Sequence, residues 1–422
     1  MNPNAQKAAI HYGWAVVFGG LLTQIVLMVG VQFVPIQLAM IADSLQLNNA
    51  SAGTIISVFG LFYAGCSFVW GYCTDKFGAR IALSLAGLIL GIFVIIFGLT
   101  ANTLTKALVI IAIVGFGAAG VYSAVLPKLI GAWFHPSKRG RAMSLITPGG
   151  VLTGAVLGIV LPRLANAYGW QTASVILGCV AIFCTLLVFL IVRNNPAEKG
   201  LSPYGVPEGE KMPAAPTQEK GQFGKVLKMK ITWHLGLMFI FWQVAFMVGT
   251  GFTAKAFVAA GATAVQGGLA VTVYNLCQLV GQQIWGPMSD QLERKSVISI
   301  AAVFWAVFTA AFVLLYGSSL NTMYIMVGLM GIGMGMVPVI LASFSDYYPT
   351  EVRGTGAGTI STLGLVGRFF GPMIAGIVAD SVGSLAGAFG FGAACMFIAA
   401  AIAFTLPSLK TGLVANYNRA AK

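Results

Sequence analysis

Twelve runs of roughly 20 or more mostly apolar residues follow one another along 422 residues. They fall near 13–41, 50–73, 79–100, 104–132, 141–163 and 170–192, then near 231–258, 265–288, 296–316, 321–346, 355–379 and 384–407. Only 8% of the residues are charged and 58% are hydrophobic, against about 25% charged in soluble domains. No soluble fold of this length hides so much apolar surface, so the expected solvent is lipid. In lipid a single segment satisfies its own backbone only as a helix. The predicted fold class is an all-α membrane protein of twelve transmembrane helices in two six-helix halves. Residues 1–192 and 231–422 form the halves, and 193–230 form a linker rich in Pro (Pro196, Pro203, Pro207, Pro213, Pro216) and partly extended.

The net charge of +13 invites a nucleic-acid reading, but the placement of the charges excludes it. Of 24 Lys and Arg residues, 19 fall in the termini, the 193–230 interval and alternate loops, all on one side of the spans. Lys106 and Arg163 mark the other side. That asymmetry places both termini in the cytoplasm and the chain in the cytoplasmic membrane. The six cysteines form no CxxC and the three histidines share no cluster, so neither a metal nor a cofactor is expected. No nucleophile–base set is present, and the chain is not read as an enzyme.

Two loops repeat one motif. Gly71, Asp75 and Arg80 in the first recur as Gly286, Asp290 and Arg294 in the second, with Asp75 and Asp290 215 residues apart. Arg139 and Arg353, each following a Pro ahead of a span, are 214 apart, as are Gly117 and Gly331 inside spans 4 and 10. Agreement of three registers implies two homologous halves. Gly115-Phe116-Gly117-Ala118-Ala119-Gly120 formally matches a dinucleotide fingerprint, but it lies inside an apolar span with no strand before it. Close helix packing at small residues is the expectation there, as it is at Gly71 and Gly286.

The paired loop motif resembles the signature of the major facilitator superfamily, and the resemblance covers essentially the full length. The second copy departs from the pattern, with Glu293 where a Gly is usual. Tyr12-Gly13-Trp14 and Ile284-Trp285-Gly286-Pro287-Met288-Ser289-Asp290 look like the oxalate/formate antiporter and monocarboxylate transporter group. That group carries an Arg in span 8, where this chain has Gln282 and Gln283. The resemblance implies alternating access, with Asp75, Arg80, Asp290, Arg294, Arg139 and Arg353 biasing one arrangement of the halves.

Arg368 lies near the middle of span 11, and no acidic residue lies in the middle of any span. A charge at that depth costs roughly 2.5–3.5 kcal/mol on insertion scales. An unneutralised guanidinium invites an anionic partner, and its fork matches a carboxylate at two points. Gly364, Gly367 and Gly371 keep open a purely structural role, bonding carbonyls of a broken helix.

Around Arg368 the candidate cavity lining comprises Asn275, Gln278 and Gln282 on one helical face with Tyr274 beside them, together with Gln24 and Gln32 in span 1. Tyr122, Ser123, Thr147, Trp242 and Gln243 join them, and Lys128 and Lys255 are further candidates for attracting substrate. The function expected is secondary active or facilitative transport of small mono- or dicarboxylates by a monomer, alone or coupled to a proton or counter-anion. Efflux of drugs or other amphiphiles is the alternative. Lipid is the only other partner expected.

Overall fold

The computed structural model describes residues 11–121, 125–206, 222–349 and 351–409. Tyr122, Ser123 and the Pro-rich centre of the linker lie outside them.

Twelve helices account for the twelve apolar runs. In the first half α1 is Gly13–Ser44, α2 Asn49–Phe77, α3 Ala79–Thr100, and α4 comprises Leu104–Val121 and Val125–Trp133. One 56-residue helical stretch, Pro136–Ile191, follows. Gly169, at φ +83°, divides it into α5 (136–168) and α6 (170–191), a backbone conformation natural to glycine. In the second half α7 is Lys230–Ala259, α8 Ala264–Gln291, α9 Arg294–Leu314, α10 Leu320–Asp346, α11 Arg353–Val382 and α12 Ala386–Phe404. All except α8 are apolar enough to cross a bilayer by composition. The amides of α8 make it more polar, and Asn275 and Gln278 among them are buried in protein, as polar groups at membrane depth must be.

Local signals explain the boundaries. Asn48 caps α2 by accepting from Ser51 N, and Thr263 and Gln266 form a reciprocal capping box at the start of α8. Gly383, in the left-handed region, ends α11. Gly78, at φ +83°, turns the chain from α2 into α3 within the first loop motif. Its counterpart Glu293 sits at φ −69°, ψ 139° and starts α9. The second copy therefore turns through extended backbone, and this is why a residue with a side chain is tolerated there.

Small residues set the packing inside each half. A Cβ at Gly117 would lie 2.8 Å from Leu90 N and one at Gly120 2.4 Å from the Trp70 ring, so the dinucleotide-like run is a helix-crossing surface between α4, α3 and α2. Gly286 meets nothing within 4 Å, contrary to the close approach expected of it. The described ends of the linker are held by their own halves. Tyr204 N donates to Trp133 O at 2.8 Å and His135 N to Tyr204 O at 3.0 Å. At the other end, Trp233 Nε1 bonds Leu227 O at 2.9 Å.

The two halves meet along two glycine-lined crossings. Where α2 meets α11, a Cβ at Gly53 would fall 2.2 Å from Pro372 O and one at Gly376 2.3 Å from Asn49 O. Where α5 meets α8, Gly158 and Gly268 face one another, and Thr272 Oγ1 donates to Ala155 O at 2.7 Å. Both crossings lie toward the end of the helices remote from the basic loops. At that end Asp380 of α11 accepts from Asn49 N at 3.0 Å and Ala50 N at 2.8 Å, and Lys255 Nζ of α7 bonds Asn49 Oδ1 at 2.7 Å. The halves are joined there by hydrogen bonds as well as by packing.

Candidate functional site

α11 brings Arg368 to the boundary between the halves. Gly367 and Gly371 let α11 press onto α7, since Cβ atoms there would lie 2.1 Å from Ile240 O and 3.0 Å from Val244 Cα. On the opposite side Gly60 of α2 makes room for the arginine stem, because a Cβ at Gly60 would come within 2.7 Å of Arg368 Cγ. The head group then has three surroundings. Its Nη2 lies 3.4 Å from Gln243 Oε1, its plane lies over the Tyr63 ring at 5.1 Å, and its buried Nε has no hydrogen-bond partner. A guanidinium held by one long hydrogen bond and one aromatic face keeps donor capacity for an anion.

Arg368 lines a cavity with about 600 Å³ of empty space, its open mouth included. α1 supplies Leu27, Met28, Val31 and Pro35, a helical stripe, and α2 supplies Ile56, Phe59 and Tyr63. α7 adds Phe246, Met247, Thr250 and Gly251. Among the described residues of this lining, Arg368 is the only charged one. The arrangement can bind one negative head group in an otherwise apolar chamber shared by both halves.

Most of the amides and aromatics predicted for the lining stand elsewhere. Tyr274 is buried inside the second half, its hydroxyl close to Gly249. Asn275 packs on Gly154 at the α5–α8 crossing and returns a hydrogen bond to Val271 O at 2.9 Å. Gln24 lies against Gly150 of α5. Gln32 is buried on α1 with its carbonyl oxygen unpartnered. Gln278 is buried and Gln282 half-buried on α8, outside the cavity wall. Trp242 is sandwiched between Phe239 and Phe246 at centroid distances of 5.4 and 5.2 Å, one residue behind the wall. Thr147 donates to Met143 O of its own helix. Of the predicted set, Arg368 lines the cavity, Gln243 supports it from behind, and Tyr122 and Ser123 lie outside the described residues. Tyr63, Phe59 and Phe246 escaped the sequence reading. The available signal was a Tyr within an apolar run.

Two further placements differ from expectation. Lys128, a candidate for attracting substrate, forms an ion pair with Asp75 at the basic-loop end, both side chains more than half exposed (52% and 63%). Lys255, the other candidate, is engaged with Asn49. Among the residues assigned to conformational change, Arg294 pairs with Asp346 at the end of α10. The first half thus presents an acidic loop to a basic helix end, and the second half the reverse. Burial, and then the nearby Glu293 and Asp346 carboxylates, push the Tyr347 phenol above its ordinary range beside that second pair. Arg80 bonds Phe189 O at 2.8 Å and stacks on the Phe189 ring, while Arg139 bonds Gly131 O at 2.8 Å and Phe134 O at 3.1 Å, closing the end of α4. Asp290 and Arg353 are exposed and make no ion pair among the described residues. No group of three metal-ligating side chains occurs among the described residues either.

Comparison with known proteins agrees with this architecture. The chain is 28% identical over 162 residues to a hexuronate transporter of Bacillus subtilis (strain 168), spanning 37% of either chain. It is 24% identical over 389 residues to the probable galactarate/D-glucarate transporter GarP of Escherichia coli (strain K12), 85% of each. Among solved structures, a bacterial homologue of the human lysosomal transporter Spinster superposes with a TM-score of 0.73 at 16% identity, covering 98% of this chain and 99% of that one. The family description Major Facilitator Superfamily matches residues 20–261 and 249–417. With its paired loop motifs, two six-helix halves and a shared central cavity, this chain belongs to the Major Facilitator Superfamily.

Proposed function

We propose that the chain is a secondary active or facilitative transporter of small organic anions, and that a substrate carboxylate binds Arg368. The observation that carries the reading is the guanidinium in the cavity between the halves, with its Nε unpartnered and no acidic residue among the described lining residues. A carboxylate there would replace the hydration a buried cation lacks. The names of the relatives, transporters of hexuronate and of galactarate or D-glucarate, support an anionic substrate. In this reading the halves 1–192 and 231–422 rock about the bound anion, joined by residues 193–230, with both termini in the cytoplasm of a cell whose cytoplasmic membrane holds the protein. The contacts at Asp380, Gly53 and Gly158 then belong to the state open toward the cytoplasm. A proton or counter-anion is the coupled partner where transport is coupled.

The Met and aromatic walls would also suit an amphiphile destined for efflux, although a cation at their centre disfavours cationic drugs. Uptake of labelled carboxylates and of cationic dyes into proteoliposomes separates the two. Carboxylate uptake by the wild type, lost in Arg368→Gln with dye flux unaffected, is the expected result. Dye transport without carboxylate transport would remove the anion reading.

A further inference from the structure

We infer that the preferred substrate is a monocarboxylate with an apolar body, rather than a polyhydroxylated or dianionic acid of the kind named for the relatives. The inference rests on the carboxylate reading above and concerns the rest of the molecule that the carboxylate carries. Beyond Arg368 the walls are built from Met28, Val31, Phe59, Phe246 and Met247. A sugar acid needs a hydrogen-bond partner for each hydroxyl it desolvates, and these side chains offer none. Among its described residues the lining carries two hydroxyls: that of Tyr63, whose ring faces the Arg368 guanidinium, and that of Thr250, which donates to Phe246 O of its own helix at 2.8 Å and keeps only acceptor capacity. Ser361 and Thr362, two turns before Arg368 on α11, stand outside the lining and donate to Ala357 O and Gly358 O at 2.9 Å each. Gln243, behind the lining, turns its amide oxygen to the guanidinium at 3.4 Å.

Charge points the same way. A dianion would bring a second carboxylate, and among the described residues the lining holds no second cation. Lys128 is occupied by Asp75 and Lys255 by Asn49. Thioether and aromatic walls instead reward an aliphatic or aromatic body of modest size, with Met28 and Met247 able to adjust to its shape.

The test is equilibrium binding to the purified full-length protein of phenylacetate and 4-methylpentanoate, set against D-glucarate and D-galacturonate. The apolar acids are expected to bind at least ~10-fold tighter. A Phe246→Ser, Met247→Thr double variant, checked for monodispersity, should cut that ratio by about tenfold. D-Glucarate or D-galacturonate binding as tightly as the apolar acids overturns this inference and leaves the carboxylate reading standing. An unchanged ratio in the folded double variant overturns it too. Binding of none of the four acids removes both readings.

Discussion

Asp380 closes one end of the molecule by capping Asn49. Its carboxylate, on α11 of the second half, accepts from Asn49 N at 3.0 Å, Asn49 Nδ2 at 2.8 Å and Ala50 N at 2.8 Å at the start of α2 in the first half. A carboxylate on a helix N-terminus is favoured by the exposed N–H groups and by the dipole. Here the cap and the helix come from different halves, so opening this end must break it.

Asp380→Ala should therefore bias the protein toward the arrangement open at that end. Loss of an N-cap costs about 1 kcal/mol, roughly a fivefold shift in population. Spin labels at Ser44 and Ser381, near the ends of α1 and α11, should report more of the longer distance. An unchanged distance distribution would show that the cap does not hold the halves together.

Gly53→Val should oppose closure at the same end far more strongly. Its side chain would begin 2.2 Å from Pro372 O, a backbone atom that cannot step aside. The variant is expected to insert and fold, since each half keeps its own core, yet to lose transport. Continuous reactivity of a cysteine placed at Asn49 toward an impermeant thiol reagent added from that side would report the open end. Protection equal to that in the wild-type background would contradict the close-packing argument.

Asp75→Asn and Lys128→Gln should each slow transport with little change in equilibrium substrate affinity, because the pair is exposed and distant from Arg368. Exposed ion pairs contribute only about 0.2–1 kcal/mol, so the expected rate effect is roughly two- to fivefold. The double variant should resemble either single one, the signature of a shared interaction. Fully additive effects would mean that the two side chains act separately.

Arg368→Lys should retain a charge in the cavity but lose the two-point match to a carboxylate. Forfeiting one charge-assisted hydrogen bond costs about 1.5–3 kcal/mol, a fall in affinity of roughly 10- to 150-fold. Direct binding measurements on the purified variant check this. Wild-type affinity in the Lys variant would show that the fork plays no part in recognition.

Cysteines at Ser137 and Ser202 should both resist an impermeant reagent applied to the outside of intact cells, given the basic loops on their side of the spans. Strong labelling of both would reverse the orientation proposed for the molecule.

Composition and spacing alone determined the twelve helices, their arrangement in two six-helix sets and the presence of a charge, Arg368, near the middle of a span. The reason is the solvent. Lipid forces every apolar run of sufficient length into a helix, and it makes a charge at the middle of a span conspicuous wherever the helix points. Rotation and partners were decided only in three dimensions. Successive helical residues turn by about 100°, and the face that meets a cavity depends on how neighbouring glycines let the helices cross. Asn275 and Gln278 share a face on α8, yet Gly154 draws Asn275 into the α5–α8 crossing and away from the cavity. Gly60 and Gly367 admit Arg368 between α2 and α7 and so bring Tyr63 to its ring plane, although the two residues are 305 positions apart in sequence. Lys128 meets Asp75, and Asn49 meets Asp380, only because the chain folds back on itself. No periodicity encodes such pairings. They arise from the complementary surfaces of whole helices packed side by side.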